Sequence, residues 1–145
     1  MRKIILMLAI TISTMSAFAS DTKVDAKVLE SFKTEFAAAK EVSWSDAGSY
    51  YRAEFTFNGQ HVNAYYSKEG ELLGLTRYIS PIDLPLNLQI GLKNKSKGYW
   101  ISDLFETTKD ISTTYYITLE DADTQIVLKA SAGDTWSVYK KIKKA

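Results

Sequence analysis

The chain has 145 residues, of which 12% are aromatic, and it carries 18 basic and 17 acidic side chains for a net charge of +1. A balance this close to neutral excludes a general electrostatic attraction to nucleic acid. Because the sequence contains no cysteine, disulfides, cysteine nucleophiles and cysteine-based metal sites are also excluded, and stability must come from burial of apolar side chains.

A secretory signal peptide is predicted at the N-terminus. Met1 to Lys3 form a charged start, Ile4 to Ile12 an apolar run, and Ala17 to Ala19 a small-residue cleavage motif. A transmembrane anchor would need about 20 uninterrupted apolar residues, whereas polar residues interrupt this run from position 11 onward. We therefore expect residues 1–19 to be removed near Ala19 and Ser20, which leaves a periplasmic or secreted protein with no membrane anchor.

An amphipathic helix is predicted over residues 25–39. Val28, Phe32 and Phe36 are spaced four residues apart, which places them along one stripe of a helix. The segment is rich in Ala, Lys and Glu, which are good helix formers. Asp21 and Asp25 are available as N-terminal caps.

After this helix the apolar residues follow a period of two, which is typical of strands with one buried face. Asn58-Gly59 separates two alternating runs and is the strongest short-range signal for a hairpin turn. Glu69-Gly70 makes a further turn into a strand at 72–79. The inward-facing positions predicted in the first two runs are Tyr51, Ala53, Phe55, Phe57, Val62, Ala64 and Tyr66.

The second half of the chain repeats this pattern. Four pairs of large apolar residues recur at a spacing of 56 positions: Val28 and Leu84, Phe32 and Leu88, Phe36 and Leu92, and Trp44 and Trp100. We therefore expect both tryptophans to lie at equivalent positions of a strand and to pack in the core.

The repeat predicts a second helix over residues 84–95. Apolar residues alternate with others along this segment, which by itself would indicate a strand. Pro81 and Pro85 suit a helix start, and Ser80 or Asp83 could cap it. The start signals and the repeat together favour the helix.

Strand alternation then resumes, with turns predicted at Asp121–Asp123 and Ala132–Asp134 and a last strand at 135–141. Phe55 and Phe57 now match Ile117 and Leu119 at a spacing of 62 positions. The second repeat is therefore expected to contain about six extra residues, within Leu104 to Ser112.

The predicted fold class is α+β, with two tandem repeats at about 21–79 and 80–145 inside a single domain of residues 20–145. Each repeat is a helix followed by four antiparallel strands, and the apolar face of the sheet needs the helix as cover. Placing the repeats side by side gives one continuous sheet of about eight strands, which spares each repeat an exposed edge. Two helices pack on one face, and the other face stays open to solvent.

The first repeat carries a recognisable motif: Phe32-x3-Phe36-x2-Ala39-x2-Val42-x-Trp44, then Tyr51-x-Ala53-x-Phe55, Gly59 and Gly70. It resembles the PepSY-like, beta-lactamase-inhibitor-like domains, which are exported bacterial proteins often found as tandem copies. The resemblance covers residues 28–79 well and 84–141 in outline, and it departs from the family at Ala37, where Pro is common. It implies an architecture like that of the beta-lactamase inhibitor protein, which presents a sheet surface to a target enzyme.

Residue types that support catalysis are scarce in the sequence. His61 is the single histidine and is expected to be an exposed strand residue, because no second ligand type lies at a useful spacing. Glu120, Asp121 and Asp123 lack the order of a calcium-binding loop and indicate a hairpin turn instead. With no nucleotide-binding or hydrolase motif present, we predict no enzyme activity, no cofactor and no metal site.

The candidate binding residues are those expected on the open face of the sheet, where tyrosines bring a large contact area and a polar group. They are Tyr50, Tyr65 and Tyr116, then Tyr139 if Trp136 and Val138 are core residues, together with Arg52, Glu54, His61 and Asn63. We predict a non-enzymatic binding module that docks an exported protein or peptide there. An inhibitor of an exported enzyme is what the resemblance implies.

Three other interpretations stay open at this point. Strand tyrosines are also common because they suit a half-buried pleated surface. A carrier or sensor would hold a small apolar ligand between the helices and the sheet, where Ala37–Ala39 and Gly74 could leave room. An enzyme would require His61 to meet two carboxylates in a cleft.

Overall fold

The structure is a computed structural model and describes residues 22–145. The predicted signal peptide, its cleavage site at Ala19 and Ser20, and the predicted cap Asp21 lie outside the described residues. Within residues 22–145, none of the helices combines the length and the apolar character that a membrane crossing requires.

One antiparallel sheet of eight strands runs through the described chain, with the strands in sequence order from one edge to the other. The first half contains α1 (Ala26–Glu35), β1 (Lys40–Asp46), β2 (Tyr50–Phe57), β3 (Gln60–Ser67) and β4 (Leu72–Tyr78). The second half contains a 3-10 turn (Pro81–Asp83), α2 (Leu86–Lys95), β5 (Trp100–Lys109), β6 (Ser112–Glu120), β7 (Thr124–Ser131) and β8 (Ser137–Lys143). The predicted fold class is confirmed.

Helix α1 covers the first half of the sheet through two buried residues, Val28 and Phe32. The Phe32 ring lies 4.9 Å from the ring of Phe55 and 5.2 Å from that of Trp44, in edge-to-face geometry, an arrangement that aromatic quadrupoles favour. Asp25 is the N-cap residue by its extended backbone, but its side chain makes no capping hydrogen bond. Burial of the apolar stripe, more than capping, therefore holds this helix in place.

Helix α2 confirms the favoured interpretation of the second apolar segment. Leu88 and Leu92 are buried, whereas Leu86 and Ile90 are 71% and 61% exposed. Residues two apart lie on nearly opposite sides of a helix, so the alternating apolar residues divide between the core and solvent. The strand-like alternation therefore arises from two exposed apolar side chains on a helix.

The predicted cap residues act one turn earlier than expected. Ser80 and Asp83 form a reciprocal capping box around the 3-10 turn at Pro81–Asp83, in which the Ser80 backbone N–H donates to Asp83 Oδ2 at 2.9 Å. Helix α2 then starts at Leu86, directly after Pro85, because the N-terminal turn of a helix tolerates the missing proline N–H.

The predicted repeat register is wrong by one helical turn. The buried residues of α1, Val28 and Phe32, are equivalent to Leu88 and Leu92 in α2, a spacing of 60 positions and not 56. By the same spacing Trp44 corresponds to Leu104, and both side chains are 5% exposed.

Trp100 is consequently not a core residue, contrary to the prediction, and its side chain is 53% exposed. It occupies the first position of β5, as Lys40 does in β1. A helical stripe with apolar residues four apart matches itself when it is shifted by four residues, so the helices alone do not fix the register.

The longer hairpin of the second half joins β5 and β6. Trp44 pairs with Ala53 in the first half, and the equivalent Leu104 pairs with Ile117 in the second. The interval grows from 9 to 13 positions, so four extra residues, not six, lie in the hairpin where the insertion was expected.

Strands β4 and β5 join the two halves through four residue pairs, from Leu75 with Thr108 to Tyr78 with Phe105. On the helix-covered face, Arg77 forms an ion pair with Glu106 and a hydrogen bond with Gln60. The apolar cluster under α1 and the one under α2 are separate. A polar seam therefore lies between two cores within one sheet.

The corrected register can be tested with two tryptophan variants. Trp44→Ala should lower the free energy of unfolding by about 3–5 kcal/mol, because it leaves a cavity in the core. Trp100→Ala should cost less than about 1 kcal/mol, as is usual for surface substitutions. Urea unfolding of the two variants measures both values, and equal losses would contradict the 60-residue register.

Candidate binding face

The open face is defined here as the sheet surface opposite α1 and α2. Both apolar clusters that contain helix residues lie on the other side of the sheet. Strand alternation and register place the candidates of the first half together on the open face, since Arg52 pairs with Tyr65, Glu54 with Asn63, and Thr56 with His61. The structure thus brings together candidate residues from β2 and β3, which the sequence analysis predicted strand by strand.

Five of the eight candidates line one concavity of about 220 Å³ in the open face, referred to below as the open-face concavity. Its lining consists of Arg52, Glu54, His61, Asn63 and Tyr65 from β2 and β3, with Thr76, Arg77, Tyr78 and Phe105 from β4 and β5. The predictions missed the β4 and β5 residues, because their position depends on how the two halves pair.

Glu54 contacts two polar side chains on one wall of the concavity. Glu54 Oε1 lies 3.0 Å from His61 Nε2, and Glu54 Oε2 lies 3.8 Å from Arg52 Nη2. All three side chains are more than 40% exposed, so each contact contributes little to stability. Their consequence is for binding, because each oxygen of the Glu54 carboxylate already has a neighbouring donor within the protein.

Asn63 forms part of the floor of the concavity and is 8% exposed. Among residues 22–145, none forms a hydrogen bond with its side-chain amide. The neighbouring Tyr65 hydroxyl is instead 3.5 Å from Thr76 Oγ1. The amide oxygen and nitrogen of Asn63 are not among the fully buried polar atoms that lack a partner, so the small exposed part of the residue includes these polar atoms.

A row of aromatic rings crosses the second half of the open face. Phe105 stacks on Tyr116 with ring centroids 5.3 Å apart and an interplanar angle of 14°. Tyr78 lies 6.3 Å from Phe105 on one side, and Tyr139 lies 5.5 Å from Tyr116 on the other. Tyr78 and Tyr139 are 62% and 58% exposed. These four residues are called the aromatic row below.

Tyr50 and Tyr139, the other tyrosine candidates, also lie beside open-face rings. Tyr50 packs edge to face against Tyr65, with centroids 5.8 Å apart. Tyr139 was expected on this face if Trp136 and Val138 were core residues, but Val138 is 63% exposed and only Trp136 is buried. The register shift in the pairing of β7 with β8, between Val127 and Leu128, explains why simple alternation fails there.

The groups that an enzyme or a metal site would need do not converge in the described part of the chain. His61 contacts one carboxylate, Glu54, where two would be required. Among residues 22–145, no three His, Cys, Asp or Glu side chains form a cluster that could hold a metal ion. Asp121 Oδ1 accepts hydrogen bonds from the backbone N–H groups of Asp123 and Thr124, at 2.9 and 2.6 Å, which is the predicted hairpin turn.

A second, more apolar depression lies between α1 and the edge strand β1, with a volume of about 630 Å³. Its apolar lining is Ala26, Leu29, Phe32, Phe36, Ala37, Ala39, Val42 and Trp44. Gly74, the other expected source of space, leaves none, because a Cβ there would lie 3.1 Å from the backbone oxygen of Thr108. The depression is called the α1 groove below.

An ion pair links Lys144, near the C-terminus, to Glu120 at the end of β6. Lys144 Nζ lies 2.7 Å from Glu120 Oε2 and 4.9 Å from the centroid of the Trp100 ring. Hydrogen bonding to Lys144, and after it to Ser102, lowers the pKa of the Glu120 carboxyl from 4.5 to about 2. The exposed Trp100 thus contacts the C-terminal tail and lies outside both apolar clusters.

Comparison with solved structures identifies the fold. A BLIP-like protein from Bacteroides fragilis NCTC 9343 superposes with a TM-score of 0.72 at 16% identity, over 84% of this chain and 87% of that one. A protein of the DUF2874 family from Bacteroides ovatus ATCC 8483 gives 0.74 at 16% identity, over 84% and 89%. A candidate periplasmic protein from Bacteroides eggerthii DSM 20697 gives 0.74 at 12% identity, over 84% and 90%.

At these identities the likeness concerns the fold, and at that level the resemblance to beta-lactamase-inhibitor-like proteins is confirmed. No protein-family model and no curated protein matches the chain. The site residues therefore stay predictions that rest on their own geometry.

The ion pair between Glu120 and Lys144 predicts that the stability of the fold depends on pH. Because the Glu120 pKa of about 2 in the folded protein is below the ordinary 4.5, the stabilisation is present in full above pH 4.5 and is lost as the pH falls through 2. Lys144→Ala should raise the Glu120 pKa toward 4.5 in an NMR titration, whereas Lys143→Ala, which removes a neighbouring lysine, should not. A pKa that stays near 2 without Lys144 would contradict the assignment.

Proposed function

We propose that the chain is an exported, non-enzymatic binding module that docks a protein or peptide partner on the open face. The resemblance to the beta-lactamase inhibitor protein makes an exported enzyme the class of target that this proposal favours. The predicted signal peptide and the periplasmic candidate among the structural neighbours support a periplasmic location.

The aromatic row is the observation that carries this proposal. Tyr78 and Tyr139 expose more than half of their surface on a face that neither helix covers. Tyrosine is enriched in binding hot spots because it buries a large area, loses little rotamer entropy and keeps a polar hydroxyl. Each ring of the row contacts a neighbouring ring, and such contacts restrict side-chain rotation and so lower the entropy cost of binding.

The open-face concavity supplies the polar part of the same surface. It adjoins the aromatic row, since Tyr78 and Phe105 belong to both. Interfaces commonly combine apolar anchors with hydrogen-bonding groups at their margin. Arg52, Glu54 and His61 are exposed enough to meet a partner, so the two features form one candidate docking surface.

The test replaces open-face tyrosines and measures partner capture. Tyr50→Ala, Tyr65→Ala and Tyr116→Ala together, or Tyr78→Ala alone, should each weaken binding of the captured partner at least about tenfold, which corresponds to about 1.4 kcal/mol. A photo-crosslinking amino acid at position 139 should join the chain to a partner in a periplasmic extract. The unfolding midpoint should change little in Tyr78→Ala, because that side chain is exposed.

Matched controls lie on the opposite side of the molecule. Ile90 is a large exposed apolar residue on α2, so Ile90→Ala and a crosslinker at position 90 test for non-specific apolar capture. Equal capture from positions 90 and 139, or full binding by the tyrosine variants, would refute docking on the open face.

A carrier of a small apolar ligand is the second candidate, and the α1 groove favours it. Its volume of about 630 Å³ falls within the range of about 300–1,000 Å³ that is usual for ligand sites. A dansyl-labelled fatty acid should then bind with energy transfer from Trp44, and Ala37→Trp should block it by filling the groove. Binding that Ala37→Trp leaves intact would remove this candidate.

A further inference from the structure

We infer that the open-face concavity receives one uncharged carboxamide side chain, a glutamine or asparagine that the partner presents, and that Asn63 is the group that recognises it. This inference rests on the proposed function, because it names the chemistry of the partner at that surface. Four properties of the concavity lead to it.

The first property is the free amide of Asn63. The residue is 8% exposed, and no hydrogen bond from the other described residues reaches its side chain. Its amide atoms are not among the fully buried, unpartnered polar atoms, so a guest in the concavity can reach them. Because no other described residue hydrogen-bonds to this amide, an apolar side chain of the same shape leaves no protein group unpaired and should be tolerated. A ligand that supplies the missing hydrogen bonds gives the amide a role in binding.

The second property is size. The concavity has a volume of about 220 Å³, which is below the range of about 300–1,000 Å³ for sites that hold a free small molecule. It is open at the surface of a sheet and accommodates a single side chain. The occupant is therefore expected to be attached to a larger partner that makes the remaining contacts along the aromatic row.

The third property is charge. Both oxygens of Glu54 already face a donor, one from His61 and one from Arg52. A cationic guest would compete with Arg52 for the same carboxylate, and an anionic guest would be repelled by Glu54. Arg77, the other cation of the lining, is already paired with Glu106. An uncharged polar group avoids both costs and leaves the network intact.

The fourth property is the geometry of the hydrogen-bonding groups. A carboxamide offers a donor and an acceptor side by side in one plane, so two of them can pair through two hydrogen bonds. The N–H and C=O of a trans peptide group point in opposite directions, so a single backbone amide cannot pair with Asn63 in this way. Tyr65, Tyr78 and Phe105 provide rings at the walls, against which a planar group can pack.

A direct test needs no partner. Capped glutamine, N-acetyl-glutamine methylamide, is titrated into the ¹⁵N-labelled mature chain while the side-chain NH₂ resonance of Asn63 is followed by NMR. A saturable shift is expected with capped glutamine, and at least tenfold weaker binding with capped glutamate and with capped methionine, which has a similar length but no amide. Equal affinity for the three probes, or no saturable shift, would overturn the inference.

Two variants separate recognition from folding. Asn63→Leu should weaken binding of capped glutamine at least tenfold and leave the unfolding midpoint unchanged or raised. Tyr78→Ala should also weaken it and, because Tyr78 is exposed, provides a folded variant if Asn63→Leu does not fold. Thr118→Val is the matched control, since Thr118 is another polar residue with 8% exposure that does not line the concavity. Unchanged binding in Asn63→Leu, or in Tyr78→Ala, would overturn the assignment.

Failure of this inference differs from failure of the proposed function. If position 139 crosslinks a partner whose binding is lost in Tyr78→Ala but kept in Asn63→Leu, the open face is an interface and the carboxamide site is wrong. If capped glutamine binds as described but no partner crosslinks at the open face, the site stands and the docking proposal fails.

Discussion

The pairing of β4 with β5 is the contact on which the rest of this structure depends. Each helix covers the strands of its own half, and the two apolar clusters are separate. The ladder from Leu75–Thr108 to Tyr78–Phe105, continued by a hydrogen bond from the Ile79 N–H to the Leu104 carbonyl oxygen, merges the halves into one sheet. Its side chains serve both faces: Arg77 and Glu106 form the polar seam between the cores, and Tyr78 and Phe105 begin the aromatic row.

The candidate binding surface follows from this junction. The polar residues of the concavity come mainly from β2 and β3, and the aromatic row from β4, β5, β6 and β8. Neither half alone contains the complete surface. Tandem duplication of a small helix-and-sheet unit therefore supplies two cores on one side and a surface on the other that spans both copies.

The two outer strands end the sheet in different ways. Strand β8 is exposed along its whole length and carries Lys140, Lys141 and Lys143, a composition that discourages pairing with another chain. Strand β1 carries charged residues at both ends and packs Trp44 inward, with the α1 groove beside it.

Much of the candidate site could be read from the strand period. Tyr50, Arg52, Glu54, His61, Asn63 and Tyr65 lie in a hairpin whose Asn-Gly turn fixes the register, so alternation alone placed them on one face. Tyr78 and Phe105 could not be found this way, because they become neighbours only when β4 pairs with β5. The burial of Asn63 depends equally on neighbouring strands, which local periodicity does not describe.

By itself the sequence determined the first helix, the strands, the hairpin turns and the existence of a repeat, because these follow from local periodicity and turn chemistry. The second helix needed its proline start signals and the repeat as well, because its local periodicity alone indicated a strand. The tertiary structure decided the repeat register, since an apolar stripe repeated every four residues fits equally well one turn away, and only pairing with the sheet separates the buried Trp44 and Leu104 from the exposed Trp100. It also decided which side chains share the open face across the junction, because strand pairing between distant segments is a property of the whole sheet.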